Sequence, residues 1–381
     1  MGNIEDYLKW RGDITFDIDP FNEVDNLILS ELAYTDFGGI VSESKEEVVS
    51  LKKACERFFE LHTEKEIMDS VMNVKVAPFF MRPMLETKRF EKLKLCAYVN
   101  EIDNDTQVQF SAVTFLLPDN TYYVAYRGTD ASIIGWKEDF NMSYLYETPG
   151  QKRAVEYLDE NFRLCRKDLR VGGHSKGGNF AVFASAFCRE SIQRRIINVY
   201  TNDGPGFRDE ILSTEGYNRI LPKIISTVPE QTLIGMIQGN KLNHRYVKSN
   251  EKGIMQHDAT SWQVIGNHFE YATRSTETDI MDKSLTDWLS GIPDEKREKF
   301  VDILFDTLMA GGANTTDEFV AGGIKNMNEV IKSLRDLDVE DQKFMWDIIG
   351  RFKESFEAKT YEHLFSSAKE MIKKKLGLVT D

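Results

Sequence analysis

Ser175 lies at the centre of a Gly-x-Ser-x-Gly pattern that it forms with Gly173 and Gly177. A strand-like segment that ends at Val171 precedes the pattern, and an apolar, helix-like segment, 179–188, follows it. This context is typical of a nucleophile elbow, in which the serine occupies a sharp, strained turn between a strand and a helix. The two glycines leave room where a Cβ atom would collide with the neighbouring strand and helix. We therefore predict that Ser175 is a nucleophile for acyl transfer.

A serine nucleophile needs a base, and in this chain order the base is a histidine C-terminal to the serine. The histidines downstream of Ser175 are His244, His257, His268 and His363. His257 lies in a loop-like stretch, 253–258, after the last strand-like segment, whereas His363 lies in a helical tail. We therefore predict His257 as the base.

Two carboxylates are candidates for the acid that orients the histidine. Asp203 ends the strand after the elbow helix, where a carboxylate reaches the top of the sheet and fixes the histidine tautomer. Glu230 follows a later strand, where the acid of many such enzymes lies. Asp258 is adjacent to His257 only in sequence, which does not direct its side chain at the ring. We predict Asp203 as the acid and keep Glu230 as the alternative.

An oxyanion hole needs two N–H donors. One comes from the residue after the nucleophile, here Lys176, and one from a loop after an earlier strand. The strand-like segment 122–126 leads to Thr129, which offers both an amide and a hydroxyl. We predict an oxyanion hole formed by Thr129 and Lys176, with an ordinary strand-to-loop turn as the alternative for the Thr129 segment. Loss of one such donor typically lowers the rate by about 100- to 1000-fold.

The elements that must position these residues change in character along the chain. Residues 1–90 are predicted to be a mainly helical N-terminal segment that packs on the core, with a turn and cap signal at 19–22. The residues that follow this signal recur at helical spacing: Val24, Leu27, Ile28 and Leu32.

The middle of the chain, 91–274, is predicted to hold the core that carries the chemistry. Strand-like segments occur first, and strands and helices then alternate, which is typical of a mostly parallel, doubly wound α/β sheet. The strand-like segments are 94–99, 108–117, 122–126, 169–171 and 196–200. Residues 275–381 are predicted to form a helical C-terminal segment.

The composition excludes several classes of function. The 381 residues hold 48 Lys+Arg against 62 Asp+Glu, a net charge of −14 that repels phosphate backbones. The densest basic run, 373–375, is interpreted as a complement to a helix dipole, so no nucleic-acid partner is expected. The same charge opposes adsorption to anionic lipid, so we expect a soluble small-molecule ester as substrate.

The remaining composition favours a cytoplasmic protein without a cofactor. The cysteines have no paired spacing of the kind that binds zinc or forms a redox dithiol. They are Cys55, Cys96, Cys165 and Cys188. Segment 1–11 lacks the apolar run of a secretory signal, and no stretch approaches about 18 apolar residues. We expect no stable membrane insertion, no metal and no cofactor.

Two blocks of the sequence resemble the signatures of class 3 lipases. Block 125–129 reads Ala-Tyr-Arg-Gly-Thr, and block 173–178 reads Gly-His-Ser-Lys-Gly-Gly. The resemblance implies that the first block supplies the oxyanion hole and the second the nucleophile. Over residues 20–270 the chain is more closely similar to a bacterial domain-of-unknown-function family of lipase-like α/β-hydrolases. That similarity rests on 135–140, 173–179, 202–207 and 256–258.

Two positions depart from the class 3 pattern. Those lipases have an acid before Val-Pro, whereas the corresponding stretch 225–229 has no carboxylate, which favours Asp203 as the acid. Lys176 stands where those lipases usually have Leu, and we expect it to pair with Glu138 or Asp139 rather than to steer an anionic substrate.

Together these observations predict an α/β-hydrolase fold and a serine hydrolase, of esterase or lipase type, that cleaves a carboxylic ester through a Ser-His-Asp triad and an acyl-enzyme. Two alternatives remain open. One is a non-catalytic protein that keeps the scaffold and binds a partner through its acidic helical tail. The other is a thioesterase or peptidase that uses the same triad.

Overall fold

The computed structural model describes residues 2–355, apart from a few positions within that range. Those positions are Val71, Asn73, 104–107, Ala131, Leu233, 239–241, Asn314 and Phe352. His363, the basic run at 373–375 and the end of the predicted C-terminal segment lie outside the described residues.

The strands of the main sheet lie in chain order from one edge to the other. They are β1 Val49–Ser50, β2 Lys94–Asp103, β3 Val108–Leu116, β4 Tyr122–Tyr126, β5 Leu169–His174, β6 Ile196–Asn202, β7 Ile224–Pro229 and β8 His244–Val247. Neighbours from β1 to β4 pair antiparallel, and neighbours from β4 to β8 pair parallel. A small second sheet pairs β9 Val264–Ile265 with β10 His268–Phe269.

The change from antiparallel to parallel pairing follows from the connections. β3 and β4 are joined by a short turn that places Leu116 opposite Tyr122. Asn120 takes a positive φ of 66° in that turn, a conformation that asparagine tolerates. Parallel strands instead need long crossovers, and helices lie between β4 and β5 and between β5 and β6. The predicted, mostly parallel α/β sheet is therefore confirmed.

Helices surround the sheet. Their bounds are α1 Ile4–Arg11, α2 Glu23–Leu32, α3 Leu51–Leu61, α4 Glu64–Met68, α5 Met81–Leu85, α6 Ile133–Asn141, α7 Pro149–Phe162, α8 Lys176–Phe187, α9 Glu190–Gln193, α10 Asp209–Leu212, α11 Glu215–Ile220, α12 Thr276–Ser290, α13 Asp294–Met309 and α14 Thr316–Asp336. A further helix begins at residue 339. Within the described part of the chain, none of them is both long and apolar enough to cross a bilayer.

Each face of the sheet is buried against a different set of helices. Side chains alternate along a strand, so Tyr123 and Ala125 of β4 join the apolar core that includes residues of α1, α2, α3 and α5. Val124 and Tyr126 join the core on the other face with residues of α7, α8 and α11. The sheet is therefore covered on both sides, which leaves its edges and loop ends for a site.

The C-terminal helices contact α6. Ile133 of α6 belongs to the same apolar cluster as Phe300 and Phe305 of α13, and the Phe140 and Phe305 rings lie 5.5 Å apart between centroids. The Lys137 ammonium lies 2.7 Å from the Asp302 carboxylate. Contacts with α13 therefore hold α6, the helix that follows the Thr129 turn.

Candidate active site

Ser175 lies between the end of β5 and the first residue of α8. Its φ of 56° and ψ of −131° are rare for a residue with a Cβ, so this turn is strained. Two hydrogen bonds hold it. The Ser175 amide donates to the Asn202 carbonyl at 2.9 Å, and the Gly178 amide donates to the Ser175 carbonyl at 2.9 Å. The surrounding main chain thus fixes the serine, which is half-buried, in this strained conformation.

Two glycines allow the close approach that this turn requires. A Cβ atom added to Gly173 would overlap the main chain of Gly177. A Cβ atom added to Gly177 would overlap the carbonyl group of Tyr126. The start of α8 therefore packs directly against the ends of β4 and β5, as the Gly-x-Ser-x-Gly pattern predicts.

Ser175, His257 and Asp203 form one hydrogen-bonded chain. The Nε2 atom of His257 lies 3.0 Å from the Ser175 hydroxyl, and its Nδ1 atom lies 2.7 Å from Oδ2 of Asp203. Asp203 directly follows β6, and His257 ends a short 3-10 helix, Gly253–His257. The carboxyl ends of the parallel strands β5 and β6 meet at one edge of the sheet, which brings serine and aspartate together.

The Asp203 carboxylate is fully buried, whereas the His257 side chain is 28% exposed. Oδ1 of Asp203 accepts hydrogen bonds from the Thr232 hydroxyl and from the Gly235 amide, the latter at 3.2 Å. With His257 on Oδ2, both carboxylate oxygens have donors. The imidazole is therefore held by a buried carboxylate and remains partly exposed to solvent.

Glu230, the alternative acid, is anchored elsewhere. Its amide donates to the Val247 carbonyl at 3.0 Å, and its carbonyl accepts from the Thr278 hydroxyl at 2.7 Å. Since Asp203 occupies Nδ1 of His257, the structure brings Asp203 and not Glu230 to the histidine.

The turn after β4 lies against the serine. A Cβ atom at Gly128 would stand 3.2 Å from that of Ser175. Gly128 is therefore next to the candidate nucleophile, and Thr129 is the residue that follows it. The Thr129 hydroxyl donates to Oδ2 of Asp139 at 2.6 Å. The sequence suggests the amide and the hydroxyl of Thr129 for the oxyanion hole. The hydroxyl donates to a carboxylate instead.

Lys176 forms a buried ion pair with Glu138. The two charged groups lie 3.0 Å apart, and both side chains are inaccessible to solvent. The Lys176 ammonium also donates to the Gln109 side chain, and Glu138 accepts from the Gly150 amide at 2.8 Å. The predicted structural pairing is confirmed with Glu138, and the lysine charge is paired inside the protein.

Asp139 has an unusual environment. Its Oδ1 atom is buried and has no hydrogen-bond donor among the described residues. Burial raises the pKa of the Asp139 carboxyl to about 6, although the Lys176 charge and the Thr129 hydrogen bond oppose the increase. A group that titrates near neutral pH therefore contacts the turn beside Ser175.

Several supporting residues have no signal in the sequence. Asn26 of α2 donates to the Asn202 side chain at 3.0 Å, and Asn202 donates to the Gly173 carbonyl at 3.0 Å. This network ties α2 to the strands that hold Ser175 and Asp203. Asn202 lies in the block 202–207 directly before Asp203, whereas Asn26 and Thr232 belong to none of the motifs.

A strained serine elbow at the carboxyl edge of a sheet covered by helices on both faces defines the α/β-hydrolase fold. A family model described as Mbeg1-like matches residues 84–306, more than half of the 381 residues. The chain belongs to this family. The lipase-like family that the sequence resemblance predicts is thereby confirmed.

Two solved structures with some similarity to the chain are lipases. The crystal structure of M37 lipase is 15% identical, with a TM-score of 0.34, over 56% of this chain and 68% of that one. The native propeptide complex of Rhizomucor miehei lipase is 14% identical, with a TM-score of 0.32, over 50% of this chain and 65% of that one. A search of curated proteins found no match.

Proposed function

We propose that this protein is a serine hydrolase that cleaves a soluble carboxylic ester through an acyl-enzyme. The observation that carries the proposal is the chain from the Ser175 hydroxyl through His257 to Asp203, with hydrogen-bond distances of 3.0 and 2.7 Å. Such a chain on a strained elbow has the geometry of a nucleophile, its base and the group that orients the base.

In this mechanism the Ser175 oxygen attacks the ester carbonyl while Nε2 of His257 accepts the serine proton. The same proton passes to the departing alcohol, which leaves an acyl group on Ser175. Water then attacks the acyl group while His257 accepts a proton from the water, and His257 returns that proton to the Ser175 oxygen as the acid is released. Asp203 keeps Nδ1 protonated and stabilises the imidazolium that forms at each step.

The negative charge on the tetrahedral intermediate needs donors beside Ser175. We assign this role to the main-chain amides of Lys176 and Thr129. Lys176 is the first residue of α8, and the amides of a first helical turn point out of the helix with the positive end of its dipole. The Thr129 hydroxyl is excluded from the assignment because its proton is directed to Asp139.

A labelled fluorophosphonate tests the proposal, because it reacts with activated serines. We expect the folded wild type to be labelled and Ser175→Ala to remain unlabelled. Ser185→Ala is the matched control. Ser185 is a buried serine of α8 whose hydroxyl has no partner among the described residues, so this variant should be labelled normally.

A panel of p-nitrophenyl esters, thioesters and peptides then identifies the class of substrate. Ester turnover that Ser175→Ala abolishes supports the proposal, and turnover of thioesters or peptides alone would replace it with the corresponding hydrolase. Absence of labelling in folded wild type would contradict catalysis and favour a non-catalytic interaction protein.

A further inference from the structure

The histidine next to the nucleophile contacts the main chain of the proposed base. The His174 side chain is buried, and its Nε2 atom lies 2.9 Å from the His257 carbonyl oxygen. A carbonyl only accepts hydrogen bonds, so Nε2 of His174 carries a proton. The rings of His174 and His257 are 4.7 Å apart between centroids and inclined by 35°.

The other nitrogen of His174 faces a buried carboxylate from α2. Nδ1 lies 3.1 Å from Oε1 of Glu31 and 3.4 Å from the Tyr34 hydroxyl. Glu31 is fully buried, and no other donor among the described residues reaches either of its carboxylate oxygens. A buried carboxylate is costly unless a cation neutralises it, and the only group placed to do so within the described chain is His174.

These contacts favour the imidazolium form of His174. Burial of the ring lowers the pKa of His174, but the Glu31 carboxylate outweighs burial and raises the pKa, with smaller contributions from Asp203 and Asp258. In that form the ring carries a proton on each nitrogen, donates to the His257 carbonyl on one side and faces Glu31 on the other.

We propose that Glu31 and His174 form a positioning pair for the base His257, an inference that rests on the proposed function. The pair has two effects. His174 holds the main-chain carbonyl of His257, which fixes where the catalytic ring stands. Its positive charge lies on a ring 4.7 Å from that of His257 between centroids, where it repels a second positive charge on the base.

A purely structural ion pair would stabilise the fold without changing the titration of the base, so a pH profile separates the two roles. The charged and titratable groups that face the two rings are Glu31 and Tyr34 from the α2 side, Asp203 after β6, and Asp258 after the 3-10 helix. Among them, Glu31 sets the charge of His174 without touching His257 or Ser175.

The test uses Glu31→Gln in the full chain and follows the rate of fluorophosphonate modification of Ser175 against pH. Glutamine keeps the shape of the side chain, and the buried His174 ring then becomes neutral. The acidic limb of the profile reports protonation of His257. We expect this limb to move up by about 0.5 to 1 pH unit, so that the rate on the limb falls by about 3- to 10-fold.

Glu23→Gln is the matched control, because it makes the same change in the same buried helix. Glu23 pairs with Arg245 at 2.6 Å and accepts from the Phe269 amide at 3.0 Å, so its partners differ from those of Glu31. This variant should leave the acidic limb in place even if it lowers stability.

The outcomes distinguish the inference from the proposed function. A wild type that reacts, with a limb that Glu31→Gln does not move, would overturn the positioning role alone. A wild type that does not react at any pH would overturn the proposed function. If Glu31→Gln fails to fold, the side-chain ¹⁵N spectrum of wild type decides: two protonated nitrogens on His174 at neutral pH support the pair, and a neutral ring contradicts it.

Discussion

Two carboxylates flank Ser175, and they differ in their hydrogen-bond donors. Asp203, behind His257, has hydrogen-bond donors on both oxygens. Asp139, behind Thr129, has one donor on Oδ2, and its buried Oδ1 has none within the described residues. The aspartate on one side of the site therefore has donors for both of its oxygens, whereas the aspartate on the other side has a donor for only one of them among the described residues. The number of donors, not the residue type, distinguishes the surroundings of the two carboxylates.

Replacement of Asp203 should have the largest effect. In Asp203→Asn the histidine loses the acceptor that fixes its tautomer and stabilises its charge. We expect kcat/KM for a p-nitrophenyl ester to fall by about 10³- to 10⁴-fold, with a normal thermal unfolding transition. Glu230→Gln is the control and should stay within about threefold of wild type, since it alters no contact of His257. A large loss in Glu230→Gln and a small one in Asp203→Asn would reverse the assignment of the acid.

Replacement of Asp139 should change the free energy of unfolding rather than the catalytic rate. The pKa of Asp139 is raised by burial to about 6, so the folded state favours the protonated carboxyl. Protonation of Asp139 therefore adds to the free energy of unfolding. This contribution is fully present below about pH 4, where an aspartate ordinarily titrates, and is lost as the pH rises through about 6. It amounts to on the order of 2 to 3 kcal/mol.

Urea unfolding of wild type and Asp139→Asn from pH 4.5 to pH 8 measures this contribution. Asparagine keeps an acceptor for the Thr129 hydroxyl but does not ionise. Relative to the variant, wild type should lose free energy of unfolding as the pH rises. Parallel curves for the two proteins would show that Asp139 ionises without cost and would remove the contrast with Asp203.

The smallest effect is expected at Thr129. Thr129→Val removes the hydroxyl but keeps the amide, to which the oxyanion role is assigned. We expect kcat/KM to change by less than about fivefold, since no oxyanion donor is removed. Loss of such a donor typically lowers the rate by about 100- to 1000-fold. A loss in that larger range would mean that the hydroxyl itself contacts the oxyanion and that its bond to Asp139 breaks during reaction.

The sequence predicts the parts of the site that depend on local motifs. The elbow is a short-range pattern, and the order of serine, acid and histidine along the chain follows from the fold, so Ser175, His257 and Asp203 are the residues it selects. Even here the helix boundary differs. The apolar pattern begins at residue 179, whereas α8 begins at Lys176, because the serine itself precedes the first turn.

The remaining contacts depend on packing between distant segments. The spacing of Val24, Leu27, Ile28 and Leu32 predicts a helix, but it does not indicate that the polar face of α2 is buried as well. Glu31 therefore meets His174 only in the folded chain. The direction of the Thr129 hydroxyl likewise depends on α6, whose position no short-range pattern specifies.

The central claim is that Ser175 carries the acyl group during turnover. The most direct measurement is peptide mapping by mass spectrometry of protein quenched while it hydrolyses a p-nitrophenyl ester. The account predicts one acyl group per chain, on the peptide that contains Ser175, and its absence in Ser175→Ala. Ester hydrolysis with Ser175 unmodified, or with the acyl group on another residue, would contradict it.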